Sequence, residues 1–418
     1  MSFRHLLVAL LGLLLAGGWA YWLIASVVLR RFLASPDLAS RHFSPAISIL
    51  KPFKGVDHEA YECFASFCRQ DYPDFELLFG SARADDPGVA AVERLQRDFP
   101  ARTIRWIATG EADGNPKTAI LERLASEARG DVLVAADSDI HASPDTVLRL
   151  VSALADPAVG LVSCLYRSRG GTTLAARLLC LYLDGGFVPS AVLAYRLAGR
   201  RFALGAAMAF RRRDLERIGG YGAFRDRLLD DYEIGSRIAG LGLEVRLSPA
   251  VVTHVLGAES FRGQWQRELR WNRGIRVARP ADYAGLLVTQ TTPTAILLGF
   301  ATGLWRWGLA AVGATLVLRA VVAHRATADL GGPSLLRNLL WLPLRDLFTA
   351  VAWCAGLAGR RITWRGARYL VQADGGVLAV SPAGLRAPPA SPGPPRSGAP
   401  GRRPPGGSPA PRSPRRRR

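Results

Sequence analysis

Val132-Leu-Val-Ala-Ala-Asp137-Ser138-Asp139-Ile140 is a short apolar run that stops at two carboxylates two residues apart. The run reads as a buried strand, with the carboxylates at its carboxyl end. In open α/β sheets, ligands gather beyond the carboxyl ends of the strands. An Asp-x-Asp pair also offers hard oxygen ligands to Mg²⁺ or Mn²⁺, and such an ion can hold a nucleotide diphosphate. A turn or a helix cap explains the same three residues, so the flanking sequence has to decide between them.

Upstream, strand-like and helix-like stretches alternate. Ala46-Ile-Ser-Ile-Leu50 reads as a first strand ended by Lys51-Pro52-Phe53-Lys54-Gly55, and helical spacing follows over residues 59–69. Phe75-Glu-Leu-Leu-Phe79 is a second strand, 89–99 a helix, 103–107 a third strand, and 117–128 the helix that leads into the Asp-bearing strand. Downstream, strands are expected at 160–165, 201–210 and 243–247, and helices at 211–217, 230–239 and 261–275. This alternation predicts an α/β fold, a mostly parallel sheet with helices on both faces. It suits nucleotide binding without fixing a function.

A chain of 418 residues has room for two domains. Residues 6–29 form a charge-free apolar run flanked by Arg4 and by Arg30 and Arg31, long enough to cross a bilayer. A cleaved signal peptide has a shorter apolar core; because this run continues past the small residues at 16–20, it reads as an uncleaved anchor. The formal net charge is +20, but only three of the 54 basic residues are lysines. From 382 onward nine arginines and 12 prolines occur without an acidic residue, which reads as a disordered basic tail. Anionic lipid is its expected partner, and nucleic acid is not. The five cysteines contain no Cys-x-x-Cys pair, so neither a zinc site nor a disulfide framework is indicated.

Hydrophobicity rises again late in the chain. Residues 284–304 and 309–323 look like two membrane segments joined by a Trp-Arg-Trp turn, with Arg319 expected to snorkel to its helix end. Residues 335–357 are apolar but carry Arg337, Arg345 and Asp346, which argues for an amphipathic or re-entrant segment. Residues 174–198 read as soluble core or, preferably, as a helix on the membrane surface. The domain plan is therefore an anchor at 1–31, a catalytic domain at 45–283, membrane and interfacial helices at 284–372, and the tail at 382–418.

Three further elements share the catalytic domain with Asp137 and Asp139: Asp230-Asp231-Tyr232, Arg267 and Arg270-Trp271. Together they suit transfer of a sugar from a nucleotide diphosphate. Asp137 and Asp139 would hold the metal, and Asp231 would take the proton from an attacking hydroxyl. Arg267 and Arg270 would meet the departing diphosphate, with Trp271 as a flat apolar wall. Taken singly, Asp231 is also explained as a helix-end charge, the arginines as a solvated helix face, and Trp271 as core.

The stretches Ile49-Leu-Lys-Pro-Phe-Lys-Gly55, Gly114-Asn-Pro-Lys117, Ala136-Asp-Ser-Asp139, Asp230-Asp-Tyr232, Arg267-Glu-Leu-Arg-Trp271 and Ile362-Thr-Trp-Arg-Gly-Ala-Arg-Tyr369 occur in this order. In this the chain resembles the ceramide glucosyltransferase family of membrane glycosyltransferases, nearest its bacterial branch associated with hopanoid biosynthesis. The resemblance implies a GT-A type domain on the cytoplasmic face of a bacterial inner membrane, a UDP-sugar donor, a lipid hydroxyl acceptor and an inverting, metal-assisted displacement. It assigns metal and diphosphate to Asp137 and Asp139, the base to Asp231, active-site roles to Arg267, Arg270 and Trp271, and a place near the nucleotide to Lys117. One departure stands out. Where the family has a nucleoside-contacting aspartate after the second strand, this chain has Arg83, and Asp85 or Asp86 is the expected substitute. His254 is weighed as a third metal ligand against a structural role.

Two other readings stay open from sequence. A processive polysaccharide synthase shares the Arg-Trp element, although such enzymes use more membrane helices than this chain shows. A catalytically silent membrane scaffold would explain Arg83.

Overall fold

In the computed structural model the alternating runs of residues 47–136 become a parallel sheet. The structure describes residues 2–36, 43–197, 199, 202–303, 305–334, 336–364 and 366–380. Most of the expected linker after the anchor, the start of the strand expected at 201, and the basic tail lie outside them.

The first half consists of α1 (Phe3–Leu33), β1 (Ile47–Pro52), α2 (Ala60–Cys68), β2 (Phe75–Ser81), α3 (Val89–Asp98), β3 (Thr103–Ala108), α4 (Pro116–Glu127) and β4 (Val132–Ala136). After it come β5 (Ile140–His141), α5 (Thr146–Ser152), β6 (Val159–Gly170), α6 (Leu174–Tyr182), α7 (Val188–Leu197), β7 (Ala207–Arg211), α8 (Arg212–Arg217), α9 (Asp230–Gly240) and β8 (Glu244–Leu256). Eight strands form one sheet in the order β3-β2-β1-β4-β7-β6-β8-β5. Strands β1 to β4 run parallel, as do β6 and β8, while β7 is antiparallel to both of its neighbours and β5 to β8. The chain leaves β1 on one side through β2 and β3 and returns on the other as β4. That reversal opens a crevice at the carboxyl ends of β1 and β4, where Asp137 and Asp139 lie.

Both sheet faces are covered, which is why β1, β2 and β4 are buried along their whole length, without alternation between faces. Ile49, Leu77 and Val134 pack with Phe64 and Phe67 of α2 on one face. Leu50, Leu78 and Leu133 pack with Leu121 and Leu124 of α4 on the other. Strand β8 is far longer than the expected 243–247, because a register shift near Ser248 lets it continue beside β6 to Leu256.

The later elements are α10 (Phe261–Ala278), α11 (Pro280–Gly285), α12 (Thr291–Thr302), α13 (Trp305–Asp329), α14 (Leu342–Gly356), β9 (Arg361–Trp364), β10 (Ala367–Val371) and β11 (Val377–Ala379). By length and composition, α1, residues 174–197 and α13 can each cross a membrane. The expected 284–304 span is instead a pair of helices bent by 61°. The Trp-Arg-Trp element is the first turn of α13, and the reversal lies at Gly303, whose φ of 62° suits glycine. Residues 174–197 do not lie on a surface. They form one helix through a π turn at Leu183–Phe187, with 67% of the apolar window buried.

Arg319 does not snorkel. Its guanidinium meets Asp346 of α14 (Nη2 to Oδ1, 3.2 Å), donates to the carbonyl of Gly185 (3.3 Å) and lies 3.7 Å over the Trp22 ring of α1. A charge between apolar helices is least costly when a partner of opposite sign is within reach. Residues 361–379, expected to be helical up to 372, form a three-stranded antiparallel sheet. The β-branched and aromatic run Ile362-Thr-Trp364 and the positive-φ Gly366 favour a hairpin there.

Candidate active site

The Gly114-Asn-Pro-Lys117 stretch explains itself once folded. Gly114 has φ +87°, and a Cβ there would come 2.2 Å from the Arg225 carbonyl oxygen, so only glycine fits. The side-chain oxygen of Asn115 caps α4 by accepting from the backbone N–H of Lys117 (3.0 Å), and Pro116 opens the helix. The Asn115 amide donates to the Arg227 carbonyl (3.1 Å), fastening the loop that leads into α9. This places Lys117 in the first turn, its Nζ 2.6 Å from Asp137 Oδ1 and 3.9 Å from Asp230 Oδ2. Burial works against its charge, but Asp137, Asp230 and Asp231 outweigh it and hold the ammonium firmly protonated.

Beneath the Asp137-Ser-Asp139 loop lies Lys51, fully buried, with Nζ 2.6 Å from the Asp137 carbonyl oxygen and 4.0 Å from the centre of the Phe67 ring. Burial pulls its pKa down to about 8, against the nearby carboxylates. Ser138 donates to Asp57. Sequence reasoning gave neither Lys51 nor Asp57 a role, and the available signal was a lysine closing an otherwise apolar strand.

Asp139 stands beside His254 because β5 pairs with β8 in the register Ile140 to His254. Asp139 Oδ2 and His254 Nε2 are 3.1 Å apart. Burial penalises both charges, yet each sustains the other: Asp139 is held below the ordinary carboxylate range and His254 above its ordinary value. His254 thus orients Asp139, and among the described residues no group of three His, Cys, Asp or Glu side chains encloses a cation by itself.

Asp231 sits in the first turn of α9, with Oδ1 accepting the N–H of Tyr232 at 2.8 Å. It does not cap the helix, whose N-cap position is Leu229. Burial lifts its pKa to about 6, with Asp230 adding to the rise and Lys117 opposing it. Gly205 leaves room for the carboxylate, since a Cβ there would lie 2.9 Å from Asp231 Oδ2.

Helix α10 carries Arg267, Arg270 and Trp271. Arg267 Nη2 pairs with Glu259 Oε1 at 2.8 Å, and its Nη1 is buried without a partner. Arg270 lies 5.1 Å over the ring of Trp364 in β9. Trp271 stacks on Tyr182 at 6.1 Å and 21°. The small sheet also packs Ile362, Tyr369 and Val377 against Leu228, just ahead of Asp230 and Asp231, so one sheet braces both the start of α9 and α10.

The remaining expected residues lie at the far end of β2. Asp86 accepts from the N–H of Gly55 (3.0 and 2.9 Å) and of Gly88 (2.9 Å), joining the loops after β1 and β2. Arg83 is exposed and forms a bidentate pair with Asp85 (2.8 and 2.7 Å). A family of rings that sequence reasoning left aside, Tyr166, Phe187 and Tyr182, continues from His254 toward Trp271 with neighbouring centroids 5.8 to 6.3 Å apart.

Comparison with known proteins agrees with this arrangement. Ceramide glucosyltransferase 3 of Caenorhabditis elegans is 26% identical over 240 residues, 56% of this chain and 51% of that protein. A ceramide glucosyltransferase of Komagataella phaffii is 32% identical over 114 residues, 26% of this chain and 22% of that protein. The probable glycosyltransferase YdaM of Bacillus subtilis is 27% identical over 241 residues, 55% of each chain. The chain therefore spans about half the length, or less, of these curated relatives. Among solved structures, the mannosyltransferase PcManGT from Pyrobaculum calidifontis, in complex with GDP-Man and Mn²⁺, has a TM-score of 0.52 at 21% identity, covering 84% of this chain and 99% of that one. That likeness is one of fold, a GT-A-like mixed sheet. The sequence profile of Glycosyl transferase family 21 matches residues 10–377, and the chain belongs to that family.

Proposed function

We propose that this protein is a membrane glycosyltransferase that moves one sugar from a UDP-sugar to a lipid hydroxyl of hopanoid or ceramide type, with inversion at the anomeric carbon. The observation that carries the reading is Asp231. It is a carboxylate lifted to about 6 in the first turn of α9, packed against Gly205 and within the influence of Lys117, which pairs with Asp137 and lies 3.9 Å from Asp230. A general base works best with a pKa near the working pH.

Asp137 and Asp139 fit a hard divalent ion. Their carboxylates stay 36% and 32% exposed just beyond the carboxyl end of β4, and Mg²⁺ or Mn²⁺ takes one or two protein carboxylates and completes its shell with substrate phosphates and water. Bound there, the ion would neutralise the diphosphate as it leaves.

In the reaction, the acceptor oxygen bonds to the anomeric carbon while the bond from that carbon to the β-phosphate oxygen breaks, and Asp231 takes the hydroxyl proton. Lys117 contributes positive charge beside the phosphates, and Arg267 and Arg270 stabilise the departing UDP. His254 fixes Asp139, Trp271 faces the acceptor, and Asp86 shapes the nucleoside end through the Gly55 loop. The catalytic domain faces the cytoplasm of a bacterial inner membrane, where UDP-sugars are available. The test is incubation of the purified full chain with Mg²⁺ or Mn²⁺, a panel of UDP-sugars and a lipid extract. A monoglycosylated lipid is expected, and no product with any UDP-sugar overturns the reading.

A further inference from the structure

Away from the sheet, a cleft of about 390 Å³ opens between α1 and α13, lined by Ser26, Val27, Arg30, Arg31, Ala34, Arg325 and Asp329. Its depth along the helices can be read from their surfaces. On α1 the exposed apolar side chains run through Leu23, Ile24 and Val27, and the next exposed residues are Arg30 and Arg31. On α13 they run through Val317 and Val321, and one turn later comes Arg325. Both helices change from lipid-facing apolar surface to guanidinium at the same level, the cleft itself. In a bilayer that change falls where acyl chains give way to phosphates.

The cleft is also charged in one sense. Three guanidinium groups face a single carboxylate, and among the described residues none of the three arginines makes an ion pair. A fourth guanidinium, Arg196 of α7, lies over Phe32 of the same helix end at 5.6 Å. Guanidinium groups bind phosphate oxygens in a bidentate fork, and Arg is favoured wherever such recognition matters. Val27 and Ala34 in the lining supply apolar contact beside that charge.

We propose that this cleft is a headgroup site for an anionic phospholipid, with the phosphate diester among Arg30, Arg31 and Arg325 and the acyl chains along the apolar faces of α1 and α13. The site is a lipid site rather than one for a free anion, because its cationic wall continues into exposed Val27 and Val321, 50% and 47% accessible, which a soluble phosphate would leave uncovered. Asp329, one turn beyond Arg325, limits the excess positive charge and marks the outer edge. The proposal rests on the membrane part of the proposed function and not on its chemistry.

The test is native mass spectrometry of the detergent-purified full chain titrated with phosphatidylglycerol, phosphatidylcholine or inorganic phosphate, in the absence of donor sugar. Retention of one phosphatidylglycerol is expected, at least fivefold above phosphatidylcholine. Arg31→Gln with Arg325→Gln should lower that retention at least fivefold, while Asp329→Asn should raise it. Equal retention by the double variant and the parent overturns the site, as does displacement of the lipid by millimolar inorganic phosphate. The Asp329→Asn arm keeps the test decisive if the double variant folds poorly, because unchanged or weaker retention there also overturns it. Lipid retention is read without turnover, so its failure is distinct from a failure to form glycolipid.

Discussion

Arg345 of α14 and Glu268 of α10 face each other as a bidentate ion pair, Nη1 to Oε1 at 2.6 Å and Nη2 to Oε2 at 2.5 Å, with both side chains 2% exposed. Arg345 also lies 4.5 Å over the ring of Tyr182, the ring on which Trp271 stacks. The pair therefore sets the position of the segment that carries Arg267, Arg270 and Trp271. Removing one member leaves the other charge buried without an opposite charge, which costs about 3–5 kcal/mol. Arg345→Met is expected to lower stability by that amount in thermal unfolding of the full chain. Arg345→Met combined with Glu268→Leu should recover most of it, because no charge then remains buried.

The raised pKa of Asp231 sets a pH dependence with a definite sign. A general base must be deprotonated, so turnover should rise with pH through about 6 and fall away below it. Asp231→Asn should abolish turnover at every pH while the melting profile stays cooperative. A pH-rate profile without an acid limb near 6 would contradict the assignment.

Neighbours of Asp231 should move that limb in opposite directions. Lys117 favours the charged carboxylate and Asp230 disfavours it. Lys117→Met is therefore expected to shift the acid limb to higher pH and Asp230→Asn to lower pH, each read from kcat/KM against pH. Lys117→Met should also raise the KM for the donor about tenfold or more, since a charge-assisted contact is worth roughly 1.5–3 kcal/mol.

Gly205 gives a steric test of the same residue. A Cβ at this position would lie 2.9 Å from Oδ2 and 3.2 Å from Cβ of Asp231. Gly205→Ala should lower kcat by about tenfold or more through displacement of the Asp231 carboxylate from its proposed working position, with the KM for the donor nearly unchanged. An equal loss in both constants would point instead to general damage.

The strands up to β4 were legible because buried parallel strands are continuously apolar and the helices between them keep their own period. The Gly114-Asn-Pro-Lys117 stretch was legible only through the family resemblance; in the fold Gly114, Asn115 and Pro116 perform local backbone tasks and Lys117 pairs with Asp137. What sequence concealed is contact between distant segments. Arg319 met Asp346 rather than the helix end, and Asp86 bound two backbone amides. Strand β8 passed its expected end because of a register shift, and His254 reached Asp139 only through that extension. The hairpin holding Trp364 under Arg270 was hidden among apolar helices whose composition dominates the region.

The contacts of Arg319 bear on how the protein is made. α13 carries a guanidinium whose carboxylate partner, Asp346, arrives only with α14, later in synthesis, and whose ring partner, Trp22, is already present in α1. Packed without α14, the guanidinium keeps the Gly185 carbonyl and the Trp22 ring but has no opposite charge, whereas with α14 in place it forms a neutral pair. The order of synthesis thus leaves Arg319 without its carboxylate until α14 has followed, and a chain truncated between the two helices is expected to hold α13 less firmly than the full chain does.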